Sequence, residues 1–436
     1  MASAKKEAQK LAKAEEKQAK IEAAALKLQE KEDKKDAKRA AKQKKKLDDT
    51  QYKLEQKNRK KAIKRAKKEG TYKKEDFFEP DNRIRIGVIG CGGIFNGCHV
   101  PAYLREEQRV KVVALCDIIG DRAANAKKKY FREADIYTDY KQLLEDESID
   151  AVDICTPNYL HSIIAVEALK KGKNVFCEKP DAINPEEAAK MYAAAEESGK
   201  LLMIMRNNRF NPNSQYLKQY IDEGHMGEIY VARTAWIRRR GIPGKGGWFT
   251  TKEQSGGGPL IDLGVHMIDL AMWFMDFPKP VAVTAMTYNC FSDTEVSDSV
   301  NSKFGDKVAG GTFDVEDLAI GSIRFENGAV LQLEISWASN VEKEDRYVEL
   351  RGTKAGATWK NERVMIYEEG KKGKQITRTV QKNVLIPQHS ENLINFFDVL
   401  EGNAEPSYQI YQGAMMMKIL DSLYESAEND GKEVLL

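Results

Sequence analysis

The 436-residue chain lacks any long run of apolar residues, and this absence excludes a membrane-spanning helix. Such a helix needs about 20 consecutive apolar residues, whereas charged side chains interrupt this sequence at much shorter intervals. The first ten residues, MASAKKEAQK, also lack the apolar segment of a secretory signal. We therefore predict a cytoplasmic protein with no membrane partner.

Cysteine is also scarce, with six residues, and no two of them have the spacing of a zinc ribbon. In a chain without an export signal, cysteines are by default reduced thiols rather than disulfides. The sequence therefore predicts no disulfide framework and no metal centre.

Residues 1–80 lack proline before Pro80 and glycine before Gly70. They are rich in Ala, Lys and Glu, which are strong helix formers. The chain has 70 basic residues (Lys and Arg) and 67 acidic residues (Asp and Glu). Residues 1–78 contain 27 of the basic and 14 of the acidic residues, so the rest of the chain is mildly acidic. The spacing of large apolar residues does not sustain a heptad, so a long coiled coil has weak support.

Two interpretations of this N-terminal extension remain open. It is either a solvated segment, helical or partly disordered, or an arm that packs on a neighbouring subunit or an acidic surface. Interleaved aromatic side chains are absent and acidic residues dilute the positive charge. We therefore predict no nucleic-acid partner.

Residues 81–205 show short apolar runs that alternate with helical periodicity. This alternation predicts a parallel sheet covered by helices on both faces, the doubly wound α/β arrangement of a Rossmann dinucleotide-binding domain. The predicted strands are Ile84–Ile89, Val110–Cys116, Ile136–Tyr137, Ala151–Cys155, Asn174–Cys177 and Leu201–Met205.

Residues 206–436 differ, with period-2 strands and glycine-containing turns such as Asn327-Gly328. We predict a second, α+β domain that carries the substrate site on a large open sheet of mixed or antiparallel strands. The predicted strands are Glu228–Arg238, Val281–Tyr288, Val315–Phe325, Ala329–Trp337 and Arg346–Arg351. The predicted helices are Pro212–Glu223, Asp262–Phe274, Glu391–Leu400 and Gln409–Glu425. The last two either close this domain or pack back on the first.

A glycine-rich turn follows the first predicted strand, in the sequence GVIGCGGIFNGCH. Gly90 permits a tight turn, and Gly92 lets backbone N–H groups approach a pyrophosphate at the start of the next helix. The third glycine of the usual fingerprint is missing, because Phe95 occupies its position. The residues of this turn predicted to bind the cofactor are Gly90, Gly92, Gly93, Ile94 and Phe95.

Asp117 ends the second predicted strand, where an acidic residue accepts hydrogen bonds from the adenosine ribose. A carboxylate there repels a 2′-phosphate, so the sequence favours NAD over NADP. Two further strand ends carry polar motifs, and ligands of open α/β sheets bind outside the carboxyl ends of the strands. Further cofactor contacts are predicted for Thr156, Pro157, Asn158, His161, Glu178 and Lys179.

Three side chains indicate proton-transfer chemistry. Lys179 follows a buried strand, near the expected nicotinamide, where it can hold a substrate oxygen. Asp262 and His266 are four residues apart in a predicted helix, so they lie on one helical face. Each has an ordinary structural explanation, Lys179 as an exposed turn lysine, Asp262 as a helix cap and His266 as a core histidine. The three together favour a catalytic site.

Over roughly residues 82–436 the chain resembles the glucose–fructose oxidoreductase / inositol dehydrogenase / MocA family. The resemblance rests on GVIGCGGIFNGCH, Asp117, CTPNYLH, EKP at Glu178–Pro180, and GGGPLIDLGVH. It implies a six-stranded Rossmann domain, an open-sheet second domain that also forms homo-oligomers, dimers or tetramers, and a bound nicotinamide cofactor. It maps the catalytic roles onto Lys179, Asp262 and His266. Phe95 departs from the family pattern, in which glycine or alanine is common at that position.

The resemblance implies an enzyme that oxidises a ring hydroxyl of a sugar, glycoside or cyclitol with NAD. We expect His266 to accept the hydroxyl proton, Lys179 to hydrogen-bond the oxygen, and Asp262 to orient the substrate or His266. The stretch RRRGIPGKGGWFT is similar to that of family members that act on glycosides, often at the 3-hydroxyl. The residues predicted to bind substrate are Arg206, Asn208, Arg209, Trp236, Arg238, Arg240, Trp248, Asp262 and His266.

Three alternatives remain open at this point. The run Arg238–Arg240 is equally well explained as a solvated strand edge. The same catalytic residues also suit an NAD-recycling glycosidase, in which oxidation is followed by elimination of the glycosidic bond. A non-catalytic NAD-binding sensor or scaffold is the third alternative, although such a protein has no need of Lys179, Asp262 and His266 together.

Overall fold

The computed structural model describes residues 61–62, 64–71, 81–295, 299, 304–370, 373–384 and 386–436. The chain forms two units, Met1–Asn82 and Arg83–Leu436. In the first, residues 64–69 are helical, and most of the predicted N-terminal extension lies outside the described residues. Within the described ranges, no helix is both long enough and apolar enough to cross a membrane.

Six parallel strands form the first sheet of the larger unit. They are β1 (Ile84–Ile89), β2 (Val110–Cys116), β3 (Asp135–Tyr137), β4 (Ala151–Ile154), β5 (Asn174–Cys177) and β6 (Leu202–Ile204). Their order is β3-β2-β1-β4-β5-β6, so the winding direction reverses between β1 and β4, where doubly wound sheets bind ligands. The predicted Rossmann fold is confirmed.

Five helices connect these strands. They are α1 (Val100–Arg105), α2 (Gly120–Lys129), α3 (Tyr140–Leu144), α4 (His161–Lys170) and α5 (Pro185–Ser198). The Asn184 side chain caps α5 by accepting a hydrogen bond from the Glu187 N–H, and Gly199 ends the helix in a left-handed conformation. A π-helical turn, Phe95–His99, joins the glycine-rich turn to α1.

Nine strands form the second sheet. They are β7 (Ile229–Ile237), β8 (Pro280–Tyr288), β9 (Leu318–Phe325), β10 (Val330–Ser336), β11 (Asp345–Gly352), β12 (Ala355–Lys360), β13 (Arg363–Glu369), β14 (Gln375–Val380) and β15 (Val434–Leu435). Their order is β14-β13-β12-β11-β7-β10-β9-β8-β15. Because β7 and β10 are parallel and β10 and β9 are antiparallel, the predicted mixed sheet is confirmed. On β10, Leu331 and Leu333 are buried whereas Gln332 is exposed, so one face of the sheet is open.

Four strands of the second sheet, β12, β13, β14 and the two-residue β15, are not predicted from the sequence. A tight turn joins β12 to β13, and its residues Asn361 and Glu362 have positive φ angles of 45° and 66°. Glycine usually marks such a turn, and Glu362 gives no comparable signal. β14 is exposed along most of its length, so it lacks the apolar alternation of a half-buried strand.

The described part of residues 206–436 also contains five helices. They are α6 (Pro212–Asp222), α7 (Lys252–Ser255), α8 (Val265–Phe274), α9 (Gln388–Leu400) and α10 (Ile410–Glu428). α8 begins three residues later than predicted, because Leu260–Gly264 forms a π-helical turn before it. α9 buries Phe396 and Phe397 in the core of the first sheet, whereas α10 buries Leu420 in the core of the second.

Candidate active site

The glycine-rich turn after β1 is tight against the sheet and open on its outer side. Gly90 has a φ of +100°, and a Cβ there would lie 2.5 Å from the carbonyl oxygen of Cys155, so only glycine fits. A Cβ on Gly92 or Gly93 would meet no atom within 4 Å. The open side therefore has room for a pyrophosphate close to the backbone.

The next two residues face the core. Phe95, at the position of the missing third glycine, is fully buried, with its ring centroid 6.4 Å from that of Tyr103 and 6.1 Å from that of Phe131. Ile94 is half-buried and packs on the same core. The side chains of Ile94 and Phe95 support the turn from behind, so any contact they make with a cofactor would come from the backbone.

The carboxylate of Asp117 lies against the same turn. Its two oxygens accept hydrogen bonds from the N–H groups of Cys91, at 2.8 Å, and Ile119, at 2.9 Å. Ile119 occupies the N-cap position of α2, so the Asp117 carboxylate lies just before the helix. The fixed carboxylate is suited to a ribose, and it would repel a 2′-phosphate.

The residues after β4 have two different environments. The hydroxyl oxygen of Thr156 is buried without a hydrogen-bond partner in the described structure, so it is available to a ligand. Pro157 precedes Asn158, whose side-chain amide donates to the carbonyl of Ser255 at 2.8 Å. Through this bond Asn158 supports the loop that precedes the π-helical turn Leu260–Gly264, and its predicted contact with the cofactor stays a prediction.

His161 also has a different environment from the one predicted. It is fully buried, with Nδ1 2.8 Å from the carbonyl oxygen of Pro180 and Nε2 2.9 Å from that of Thr156. Burial lowers the pKa of this imidazole. Because both ring nitrogens face backbone carbonyls, His161 ties together the two strand-end turns and does not face a cofactor.

Glu178 belongs to a buried network that the sequence analysis does not predict. One carboxylate oxygen lies 2.9 Å from Nε2 of His99, and Nδ1 of His99 lies 2.8 Å from Asp153. Burial alone would lower the pKa of His99, but Asp153 beside it raises that pKa well above its ordinary value. The other Glu178 oxygen accepts the Lys179 N–H at 3.2 Å, so the network reaches Lys179.

Lys179 and Asp262 form an ion pair, although Lys179 lies in the turn after β5 and Asp262 in the π-helical turn before α8. The lysine Nζ lies 2.7 Å from the Asp262 carboxylate and 3.0 Å from its backbone carbonyl. The indole N–H of Trp337 donates to the second carboxylate oxygen at 2.9 Å. Burial raises the pKa of Asp262, but Lys179, Arg238 and these hydrogen bonds outweigh it, and the pKa lies below its ordinary value.

His266 presents a neutral imidazole beside this pair. Burial lowers its pKa well below 6.5, and the positive charge of Lys179 acts in the same direction. No other described residue is hydrogen-bonded to its ring, although its backbone carbonyl accepts a bond from Asn208 at 3.4 Å. Since Asp262 is used by Lys179 and Trp337, it positions the lysine and is not hydrogen-bonded to His266.

Glu316 supports the backbone from Gly258 to Leu260, just before Asp262, and the sequence does not predict this role. Its carboxylate accepts the N–H groups of Gly258, at 2.9 Å, and Leu260, at 3.0 Å, and also the Tyr424 hydroxyl, at 2.9 Å. A Cβ on Gly258 would lie 2.0 Å from the Glu316 carbonyl oxygen. The glycine-rich sequence before Asp262 is therefore needed for close packing against Glu316.

Two predicted substrate residues, Arg206 and Arg209, instead form a buried ion cluster, and this corrects the prediction. Arg206 pairs with Asp181 and lies 3.2 Å from Asp269. Arg209 binds Asp269 through two nitrogens and also donates to the Ser407 carbonyl at 2.6 Å. Both guanidinium groups are buried and their charges are balanced by the two carboxylates, although the Arg206 Nε makes no hydrogen bond to a described residue.

Three other predicted substrate residues lie around His266. Asn208 has a buried amide oxygen without a partner among the described residues. The ring centroid of Trp236 is 6.1 Å from that of His266, and the Arg238 guanidinium lies 5.1 Å from the Trp236 ring. Arg238 is buried, and its Nε has no hydrogen-bond partner in the described structure. It is therefore not the solvated edge residue of the alternative interpretation.

Arg240 and Trp248 occupy different surroundings. Arg240 donates to the carbonyl of Ser339 at 2.9 Å and lies 4.1 Å from the Phe291 ring. Trp248 stacks on Phe249 with ring centroids 3.7 Å apart. These contacts account for the positions of both side chains without a ligand. The structure does not place Arg240 or Trp248 beside Lys179, Asp262 and His266.

His389, at the start of α9, is a titratable residue that the sequence analysis does not identify. Burial lowers its pKa to about 4, against the opposing effect of Glu178 and with the help of Lys179. Ser390, the next residue, donates to the Cys98 carbonyl at 2.6 Å and fixes the start of the helix. The ring of His389 is not hydrogen-bonded to another described residue, so it is a second neutral imidazole near Lys179.

Two family models match the chain. One, described as oxidoreductase family, NAD-binding Rossmann fold, matches residues 84–205, and the GFO/IDH/MocA C-terminal domain matches residues 214–358. D-glucoside 3-dehydrogenase of Escherichia coli (strain K12) is 33% identical over 347 residues, which are 79% of this chain and 95% of that protein. The chain belongs to the GFO/IDH/MocA oxidoreductase family.

Two further relatives of this oxidoreductase are known as levoglucosan dehydrogenases. The enzyme of Pseudarthrobacter phenanthrenivorans is 30% identical over 297 residues, or 64% of this chain and 74% of that protein. A solved structure of a levoglucosan dehydrogenase with NADH and L-sorbose has a TM-score of 0.70 and 25% identity, and covers 81% of this chain and 98% of that one. The predicted family, fold and NAD-binding Rossmann domain are confirmed.

Proposed function

We propose that this oxidoreductase transfers hydride from a secondary ring hydroxyl of a sugar or glycoside, at the 3-position, to NAD. The observation that carries the proposal is the Lys179–Asp262 pair beside the neutral, unpaired imidazole of His266. A hydrogen-bond donor and a proton acceptor set side by side are what oxidation of a secondary alcohol requires. Similarity to D-glucoside 3-dehydrogenase supports both the sugar and the position.

Each catalytic side chain has a separate role in this proposal. His266 accepts the hydroxyl proton, because its neutral ring has a free nitrogen. Lys179 donates a hydrogen bond to the substrate oxygen and stabilises the negative charge that develops there. Asp262 positions Lys179, and Trp337 fixes Asp262. Bound NAD supplies the hydride acceptor, and Gly90, Gly92, Gly93, Asp117 and Thr156 would hold it.

Trp236, Arg238 and Asn208 are the proposed sugar contacts. The half-buried Trp236 ring lies beside His266, where it can stack on the apolar face of a sugar ring. The unpartnered Nε of Arg238 and amide oxygen of Asn208 supply a donor and an acceptor for hydroxyl groups. A flat apolar surface flanked by a donor and an acceptor suits a pyranose.

The test is to denature the purified protein and assay released nicotinamide, and then to incubate it with NAD and a panel of glucosides, free sugars and cyclitols. NADH formation together with a 3-keto sugar would support the proposal. Aglycone release without net NADH would replace it with the NAD-recycling glycosidase. Failure to bind nucleotide or turn over any substrate would leave a non-catalytic protein.

The proposal also includes homo-oligomerisation and a cytoplasmic location. The open face of the second sheet presents Arg233, Gln332 and Ile320, which offer both polar and apolar contacts to a second subunit. The six cysteines are free thiols, the usual state in the cytosol. Light scattering of the full chain tests the first expectation, and cell fractionation tests the second.

A further inference from the structure

A buried triad at the edge of the first sheet carries one excess negative charge. His99 lies between Asp153, at 2.8 Å, and Glu178, at 2.9 Å, and no member is more than 5% exposed. Each contact needs a proton between the ring nitrogen and the carboxylate. Whether the second proton rests on the imidazole or on a carboxylate, the three groups together carry a net charge of −1.

The surrounding groups do not neutralise this charge. Asp153 also accepts the Tyr103 hydroxyl at 2.8 Å and lies 3.5 Å from the Cys155 thiol, and burial raises the pKa of both donors well above their ordinary values. These donors are therefore neutral. Lys179, the cation nearest in sequence to Glu178, is already paired with Asp262. In the described structure the triad thus has no counter-ion of its own.

The position of the triad allows its charge to act on a bound cofactor. Asp153 lies in β4, Glu178 directly follows β5, and His99 ends the π-helical turn after the glycine motif. Asp153 is the next-to-last residue of β4 and Glu178 directly follows β5, so both carboxylates lie toward the edge of the sheet where this fold binds a dinucleotide. A buried, unpaired charge is costly unless an opposite charge lies nearby. The nicotinamide ring is cationic in NAD⁺ and neutral in NADH, so only the oxidised form supplies that opposite charge.

We propose that Asp153, His99 and Glu178 make this site bind NAD⁺, the cofactor form that sugar oxidation consumes, in preference to NADH. The inference rests on the proposed function. The three residues act here as an electrostatic unit. His99 holds the two carboxylates in place, and the unit neither accepts the substrate proton nor contacts the reacting oxygen.

The test compares the dissociation constants of NAD⁺ and NADH by tryptophan-fluorescence titration of the full chain. Glu178→Gln and Asp153→Asn each remove one negative charge and retain a side chain of similar shape. For Glu178→Gln the ratio of the NAD⁺ to the NADH dissociation constant is expected to rise on the order of tenfold, the effect of one charge at several ångströms in a protein interior. Asp153→Asn should shift it in the same direction.

Glu167→Gln is the matched control, because Glu167 is a carboxylate of the same domain that binds the Tyr140 hydroxyl at 3.1 Å, away from the triad. For this control variant, the ratio of the NAD⁺ to the NADH dissociation constant should equal that of the wild type. Equal weakening of both nucleotides in the two triad variants would overturn the inference, since it would indicate a purely structural role. If one variant does not fold, as judged by circular dichroism, the other decides. Wild-type protein that binds neither nucleotide would contradict the proposed function itself.

Discussion

Two of the groups of buried charges in the larger unit differ in how completely they are matched. In the first, the guanidinium groups of Arg206 and Arg209 are balanced by Asp181 and Asp269. In the second, the Lys179–Asp262 pair is accompanied by polar groups without partners among the described residues, namely the Arg238 Nε and the rings of His266 and His389.

This difference separates residues that stabilise the fold from residues proposed to act in catalysis. Buried polar groups normally find partners within the protein, and a matched ion cluster therefore needs no ligand to explain it. Unmatched groups that converge on one place are stabilised only when a ligand arrives. The first group is accordingly expected to determine folding and the second to determine catalysis, and the predictions below test this division.

The largest effect is expected for His266→Ala. Loss of the general base should lower turnover by about 10²–10⁴, while the midpoint of thermal unfolding stays near that of the wild type. Steady-state kinetics and calorimetry on the same preparation measure both quantities. Turnover within a few-fold of the wild type would remove His266 from the proton-accepting role.

Asp269→Asn should show the opposite pattern, a loss of stability with little change in turnover. It leaves Arg209 without its carboxylate and reduces the matching of Arg206, and breaking a buried ion pair costs about 3–5 kcal/mol. Denaturant unfolding should show this loss of free energy, with little change in turnover at a temperature where the variant is folded. A variant of wild-type stability with much-reduced turnover would place the cluster in the catalytic machinery and contradict the division.

Acid should lower stability through the buried neutral histidines, two of which, His266 and His389, belong to the second group. The pKa values of His266, His389 and His161 are all lowered by burial, so these side chains are neutral when folded and bind protons more readily when unfolded. Stability from these residues is fully present above about pH 6.5, the pKa of an unfolded histidine, and is lost as the pH falls below it. Unfolding midpoints measured from pH 8 to pH 5 should therefore decline below about pH 6.5.

The matched control for this decline is His389→Gln, which removes one of the three histidines. The unfolding midpoint of this variant should fall less steeply below about pH 6.5 than that of the wild type. An identical curve for the variant would show that His389 is not buried in its neutral form.

The smallest effect is expected for Thr156→Val. The Thr156 hydroxyl has no partner in the described structure, so replacing it with a methyl group should change stability by less than about 1 kcal/mol. NAD affinity should fall severalfold if the hydroxyl binds the cofactor. Unchanged affinity, measured by the same fluorescence titration, would show that the hydroxyl faces no ligand.

Much of the fold follows from local sequence pattern. The strands of the first sheet are short, apolar and separated by helices, and the three proposed catalytic residues stand in motifs that the resemblance identifies. The missed strands β12 to β14 depend on a turn with Glu362 at positive φ and on an exposed edge, neither of which has an apolar signal.

The roles of individual polar residues are harder to predict from sequence. Arg206, Arg209 and Arg238 look alike in the sequence, and only long-range packing shows that two of them meet carboxylates and the third does not. His389 approaches Lys179 because α9 packs on the first sheet, a contact between distant parts of the chain. Periodicity carries no information about such contacts.

The most direct test of the account is hydride transfer from a methyl glucoside that carries deuterium at C3. The account predicts that incubation with NAD gives deuterated NADH and a 3-keto glucoside in equal amounts, and that His266→Ala forms both far more slowly. Reduced cofactor without deuterium, or a ketone at another ring carbon, would contradict the proposed position of oxidation. Absence of any reduced cofactor across the substrate panel would contradict the dehydrogenase assignment itself.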